Sequence, residues 1–550
     1  MTQGGSGARL RQARELAVRR FLCATFVLAL ACERRHELPA GSLPPIEPIG
    51  EPAGPPGAPA AWALVDTSLA QEGAEALLAV RSYHGLIDAL APAVASPGGE
   101  RLSELLSDCC GIGSLAEDEL SAFGLDTLAP LTGTLGGDDS VVMRLPVTGH
   151  PSPLLQLPRA GKRTTWAGLR GAQLAEDGDD LRFLLGQRHV VVASLEKTHA
   201  PLRDRAPLER AAATLARHTP EHALVSVWFP SSDEPSGVAG FDRFLAALSR
   251  RSPDDLWSSG AGAFAISSDP SGALVVDTHA ELTGLSKARA ELARACVLED
   301  LLVLLPGGSA TVSASVTRTS ELLRTQAAAP DERPSLLGRV MAAWSLAGLR
   351  APPGSFSCVV SATGGGSPES ILLVHLPVPE AAGLERVAER LGAGRWERWG
   401  AFRGWQFSGN ACAVVPPAVL ACASPARALG LVMAMAARAP GRASRGHTLV
   451  TYSRGRSSNG LKVFLGSAPE LPEKLTNRLS AVIRDVTYRE DLAMDGVDGR
   501  LTVGSRDHRP VLPAIIRILV EELLAPPTAT STPSPVPPGE PRRSAPQGRP

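Results

Sequence analysis

Aromatic side chains are scarce in this chain: Phe, Trp and Tyr together make up 4% of 550 residues. A protein that stacks bases or sugars needs aromatic platforms, so this composition weakens such readings. Excess charge of either sign is also missing, with Lys+Arg 55 against Asp+Glu 56 and a formal net charge of -1. There is no basic surplus to neutralise a phosphate backbone, which argues against a dedicated nucleic-acid binder. Lysine occurs only at Lys162, Lys197, Lys287, Lys462 and Lys474. Nearly all positive charge is therefore arginine, and arginine clusters carry less functional meaning than usual. Cysteine is sparse too: the 8 residues are too few to staple so long a chain, and none lie in a C-x-x-C pair. Hydrophobic residues at 44% are ample for globular cores.

A long apolar run is absent as well. The most apolar segment near the start, Phe21 to Ala31, is shorter than the roughly 20 residues a bilayer-spanning helix needs. It follows Arg9, Arg11, Arg14, Arg19 and Arg20, with Glu15 the only acid among them. Basic lead, short apolar core and small residues define a cleavable export signal over 1–31. Ala29-Leu30-Ala31 fits ordinary signal cleavage, and the same residues before Cys32 are similar to a lipobox, which makes Cys32 the expected lipidation site. Leu38 to Ala61 is rich in proline and glycine, so 32–61 reads as an extended tether. The Pro/Ser/Thr-rich 526–550 reads as a disordered tail.

Between these ends the sequence echoes itself. Trp166-Ala-Gly-Leu-Arg170-Gly171 lines up with Trp399-Gly-Ala-Phe-Arg403-Gly404. VVMRLPV ending at Val147 matches LLVHLPV ending at Val378, and VVVAS ending at Ser194 matches VLACAS ending at Ser424. HALVSVW from His222 answers HTLVTYS from His447. Collinear matches at nearly constant separation point to a tandem duplication, with modules at 62–305 and 306–525. Each module is expected to be α+β, a mostly antiparallel sheet with packed helices, because strand and helix patterns do not alternate as in a doubly wound fold. In the first module the patterns predict helices over 69–90, 101–107, 207–217, 238–250 and 285–305. Strands are predicted over 140–146, 165–174, 181–186, 190–195, 222–229, 261–267 and 273–282.

Motifs for chemistry are thin. Gly111-Ile-Gly113-Ser-Leu-Ala116 has the glycine spacing of a dinucleotide loop, but it follows a helix-like LSELLSDCC rather than a strand. Asp495-Gly-Val-Asp498-Gly and Glu176 to Asp180 read as turns, since neither completes a calcium loop. His218 and His222 are separated by Pro220 and cannot share one helix face, and the other histidines are scattered. The reading therefore expects no catalytic residue, no cofactor and no metal site.

Two features remain. Strand alternation puts Trp399, Arg403, Trp405 and Phe407 on one face, with Trp166, Arg170 and Leu174 equivalent in the first module. That face is the candidate binding surface. A packing alternative, favoured because both modules carry the arrangement in a matching strand, lays the aromatics under a helix while the arginine stem reaches a carboxylate. Cys412 and Cys422 flank a hairpin through Pro416-Pro417, where they could bridge or pack as small apolar residues.

Taken together, leader, tether and paired modules resemble the uncharacterised predicted lipoproteins of Gram-negative bacteria that carry a secreted domain of unknown function, often duplicated. The leader and Cys32 set the expected location on the periplasmic side of the envelope, as an outer-membrane lipoprotein or otherwise as a secreted protein, with an envelope protein or polymer as partner; the resemblance itself carries no activity. The expected function is a non-catalytic binding or scaffold protein. The alternative is a secreted hydrolase with a dispersed site.

Overall fold

Small and β-branched residues recur at alternate positions through the middle of the chain, and such residues suit a pleated, half-buried surface. The computed structural model carries these segments as twenty strands in one hydrogen-bonded sheet. It describes residues 60–95, 121, 124–136, 140–148, 162–176, 179–195, 200–229, 262–281, 297–306, 309–319, 322–323, 336–350, 352, 355–364, 369–377, 381–392, 396–399, 401–416, 418–438, 449–456, 461, 473–493, 496–507 and 509–523. The expected signal, most of the tether with Cys32, the 526–550 tail, Gly111 to Ala116 and the helices predicted over 101–107 and 238–250 lie outside the described residues.

The first strands are β1 (Ala74–Val80), β2 (Leu131–Gly136), β3 (Val141–Pro146), β4 (Lys162–Trp166) and β5 (Leu169–Glu176). Next come β6 (Asp179–Leu185), β7 (His189–Leu195), β8 (Val225–Phe229), β9 (Gly262–Ser268) and β10 (Leu274–Glu281). The remainder begins with β11 (Ser309–Arg318), β12 (Phe356–Gly364), β13 (Ser370–His375), β14 (Trp396–Trp399) and β15 (Phe402–Phe407). It ends with β16 (Asn410–Val415), β17 (Val419–Ser424), β18 (Leu449–Arg456), β19 (Ile483–Leu492) and β20 (Gly496–Ser505). Eight helices are used below: α1 (Tyr83–Val94), α2 (Ala206–His218), α3 (Leu298–Leu302), α4 (Leu336–Leu346), α5 (Ala381–Gly392), α6 (Arg427–Arg438), α7 (Glu473–Val482) and α8 (Val511–Leu523).

Every pairing among the described residues is antiparallel, as an α+β fold with a mostly antiparallel sheet requires. From one end the order is β4, β5, β6, β7, β3, β2, β1, β8, β9, β10. From the other it is β14, β15, β16, β17, β13, β12, β11, β18, β19, β20. The two runs meet where β10 pairs with β20, from Leu274↔Val503 to Glu281↔Gly496.

Alternation along these strands decides what covers each face. Val276, Ile266, Val503 and Tyr488 point into one apolar core with Leu86 of α1, Leu479 of α7 and Ile516 of α8. On the opposite face, Leu208, Ala211 and Leu215 of α2 settle on Leu77, Ala79 and Ala263. Farther along, β13 is buried on both faces: Ile371 and Leu373 lie against the α6 cluster, Leu372 and Val374 against that of α4 and α5. A strand covered twice loses its polar alternation, which is why SILLVH reads as a nearly continuous apolar run.

Several expectations are corrected. The predicted helix over 69–90 is a strand followed by a helix, because Gly73, at φ 81, turns the chain so that β1 can pair with both β2 and β8. The predicted strand over 165–174 is the hairpin β4–β5, folded back at Ala167 (φ 49) and Gly168 (φ 80) with Trp166 facing Leu169. Of the helix predicted over 285–305, the described part is helical only at α3, and β8 starts at Val225 rather than at residue 222. The fold reaches back into the last two residues of the expected tether: Ala60 is buried, its N–H donates to the Ala216 carbonyl, and Ala61 begins a short helical turn.

The glycine in the repeated Arg-Gly pair has a steric explanation. A methyl group at Gly171 would stand 1.8 Å from the Phe183 carbonyl oxygen, and one at Gly404 2.7 Å from that of Cys412. Gly171→Ala is expected to lower stability by about 2 kcal/mol, read as an earlier urea midpoint at unchanged slope. Gly168→Ala, whose added methyl would meet nothing within 4 Å, should cost only about 1 kcal/mol for its positive φ.

Candidate functional site

The junction strands carry a charged face. Asp277, His279 and Glu281 of β10 alternate with the apolar-core residues Val276 and Leu274, so their side chains leave the sheet on the α2 side. The cross-strand register then builds two rows. His279 faces Asp498, which faces Asp491; Asp277 faces Arg500, which faces Arg489.

Helix α2 brings one more group to this face. Its apolar positions 208, 211, 212 and 215 recur at helical spacing and fix the rotation of the helix on the sheet. Pro220 follows soon after and stops the helix, which leaves His218 in the last turn, where the helix dipole favours a cation. One turn earlier, Thr214 Oγ1 donates to Glu281 Oε1 at 2.9 Å and ties α2 to β10.

His218, His279 and Asp498 consequently converge. His279 is 3% exposed, and its Nδ1 lies 2.7 Å from Asp498 Oδ1. A carboxylate can only accept, so the ring donates through Nδ1. His218 Nδ1 lies 3.7 Å from the same oxygen. The two imidazoles are stacked, with centroids 3.5 Å apart and planes 11° from parallel. Gly496 makes room: a methyl there would come within 2.8 Å of His279 Cε1.

The second row is ionic. Arg500 Nε donates to Asp277 Oδ1 at 2.6 Å. Arg489 is bidentate on Asp491, with Nη2 2.6 Å from Oδ1 and Nε bonded to Oδ2, and it approaches Glu299 of α3 at 3.8 Å. Burial pushes the Glu299 carboxyl above its ordinary value of 4.5, and the Arg489 charge only partly opposes that shift. The strip thus fills the gap between the apolar footprints of α2 and α3.

The residues singled out in the sequence lie elsewhere, in the hairpins that end the strand order. Arg403 stands over both Trp396 and Trp405, with its guanidinium carbon 5.2 Å and 5.4 Å from the ring centroids. Trp405 is 2% exposed and shares a cluster with Leu384, Val387 and Ala388 of α5, with Phe407 packed alongside. Arg403 Nη1 lies 3.9 Å from Glu385 of the same helix, and Trp396 is 56% exposed. Trp399 is not on this face. The β14–β15 turn intervenes, so Trp399 packs with Phe402 against the opposite core, and Trp396 takes its place across from Trp405. In the first half Trp166 is 3% exposed among Val142, Leu184 and Val191, while Arg170 is exposed. Cys412 and Cys422 face each other across β16 and β17 and form a disulfide with Cα atoms 4.0 Å apart.

Sequence reasoning set His218 aside because Pro220 separates it from His222, counted His279 among the scattered histidines, and read Asp498 as part of a turn. The trio's members are 61 and 219 residues apart: the β10–β20 register joins His279 to Asp498, and the end of α2 brings His218. A usable signal existed in the charged Asp277-Thr-His279-Ala-Glu281 alternation within an otherwise apolar strand.

No family model matches the chain, and no curated protein does. Among solved structures, crystal form I of TP0453 aligns at 10% identity over 42% of this chain and 85% of its own, with a TM-score of 0.22. Crystal form IV aligns at 12% identity over 42% and 87%, with a TM-score of 0.21. Likeness at that level supports no inference about fold or function.

Two outcomes follow from the ionic rows. Asp277 Oδ2 is buried and has no hydrogen-bond partner among the described residues, so Arg500→Met is expected to cost about 2 kcal/mol. A double-mutant cycle with Asp277→Asn should recover part of that loss. Glu299, raised in the folded state, favours the fold when protonated. Its contribution is complete below pH 4.5 and is lost as pH rises through the folded-state value. Glu299→Gln should remove that loss, so wild type should weaken relative to the variant across this window in pH-dependent urea titrations.

Proposed function

We propose that the chain is an envelope lipoprotein, anchored through Cys32 and acting as a non-catalytic binding or scaffold protein on the periplasmic side of the outer membrane. The observation that carries the scaffold reading is continuity. All twenty strands share one hydrogen-bonded order, and the β10–β20 pairing makes a single frame of what the sequence divides at residue 305. The anchoring half of the reading rests on Arg19-Arg20, the Phe21 to Ala31 core and Cys32. Among the described residues no helix is long and apolar enough to cross a membrane.

The frame arose by tandem duplication of modules 62–305 and 306–525. In support, the strand order from each end is the same once ten is added to each strand number of the first run. The matched tryptophans Trp166 and Trp399 each close a hairpin, and the matched glycines Gly171 and Gly404 each lie against a neighbouring strand. The exposed Trp396 and the Arg403 stack on the terminal hairpin give such a frame a contact point for an envelope protein or polymer.

Radiolabelled palmitate supplied to a Gram-negative host expressing the full chain should label wild type and leave Cys32→Ala unlabelled. Equal label in both would refute the anchor.

A further inference from the structure

We propose that His218, His279 and Asp498 bind one divalent transition-metal ion, and that the ion clamps the two halves of the sheet together. The donor set is two imidazole nitrogens and one carboxylate oxygen, a combination suited to zinc and its neighbours rather than to magnesium or calcium. The three ligand atoms lie within 4.8 Å of one another. Bonds of about 2.0–2.2 Å in a tetrahedral site separate neighbouring ligand atoms by roughly 3.3 Å. The observed separations from Asp498 Oδ1, 2.7 Å for His279 and 3.7 Å for His218, straddle that value. Each ion–nitrogen bond must also lie in its ring plane, so on binding the two stacked rings swing apart, from 3.5 Å to roughly 5 Å between centroids, until both planes meet at the ion.

The orientation of the rings points the same way. Both imidazoles turn Nδ1 toward the same Asp498 oxygen, so one ion beside that oxygen is within reach of both nitrogens once the stack opens. On binding, the His279 proton moves from Nδ1 to Nε2, the Nδ1 lone pair bonds to the metal, and no redox change occurs. Water takes the fourth position.

The surroundings hold the ligands in place. Thr214 bonded to Glu281 fixes α2 one turn before His218, and the bare face of Gly496 seats the His279 ring. His218 and His279 belong to the first half and Asp498 to the second, so a bound ion adds a bond across the β10–β20 junction. This assignment is independent of the anchor at Cys32 and of any partner.

The test uses the purified full chain, stripped with a chelator and titrated with zinc, then with cobalt as a spectroscopic probe. One tightly held zinc per chain, a rise in the thermal midpoint and a visible cobalt band of tetrahedral type are expected. His218→Gln and the near-isosteric Asp498→Asn should each weaken binding by about tenfold or more. Circular dichroism of the metal-free variants should match wild type, which separates ligand loss from misfolding. The proposal is overturned if wild type binds no stoichiometric ion, or if both folded variants bind as wild type does. It is also overturned if the trio responds to pH alone and not to metal.

Discussion

The pairing of β10 with β20 is the constraint on which the rest of the structure depends. Without it the strand order falls into two separate sheets, each ending on an edge whose backbone donors and acceptors would need another partner. With it, one edge closes the other. On one face the junction is sealed by an apolar core drawn from both halves, with Val276, Val503 and Tyr488 under α7 and α8. On the other face it carries charge, and the cost of burying that charge is offset by pairing: Asp277 with Arg500, Asp491 with Arg489, His279 with Asp498.

That division has a structural logic. A continuous apolar face could slide by two residues and still bury itself, because side chains repeat with period two. The ionic rows remove this freedom. A two-residue slip of β10 on β20 would set Asp277 opposite Asp498 or opposite Thr502, without Arg500 in either case, so at this junction the polar face selects the register while the apolar face supplies most of the stabilisation. The stacked imidazoles sit at this junction, where a helix end also arrives. The terminal hairpins follow a different rule. There Trp405 and the Cys412–Cys422 bridge lie beneath α5 and stiffen the end of the strand order, while Arg403 and Trp396 remain accessible.

Much of the fold was legible in the chain itself. Alternation located most strands of the first half, β9 and β10 among them, and helical spacing located α2. The failures have physical causes. Leu69 to Leu90 looked helical because β1, paired on both sides and buried, has lost the polar alternation that marks a strand. Thr165 to Leu174 looked like one strand because Ala167 adopts a left-handed conformation that alanine seldom takes, so no turn residue but Gly168 warned of it. Counting alternation through the matching β14–β15 turn is also what misplaced Trp399.

The candidate site shows the same boundary more sharply. Sequence by itself determined which segments pair locally, which faces are apolar, and that Cys412 and Cys422 would flank a hairpin, because these depend on neighbours a few residues away. Only the tertiary structure decided that His218, His279 and Asp498 meet. Their convergence needs a helix end and two strands, brought together by a register set 219 residues apart along the chain, and local spacing carries no trace of such a contact.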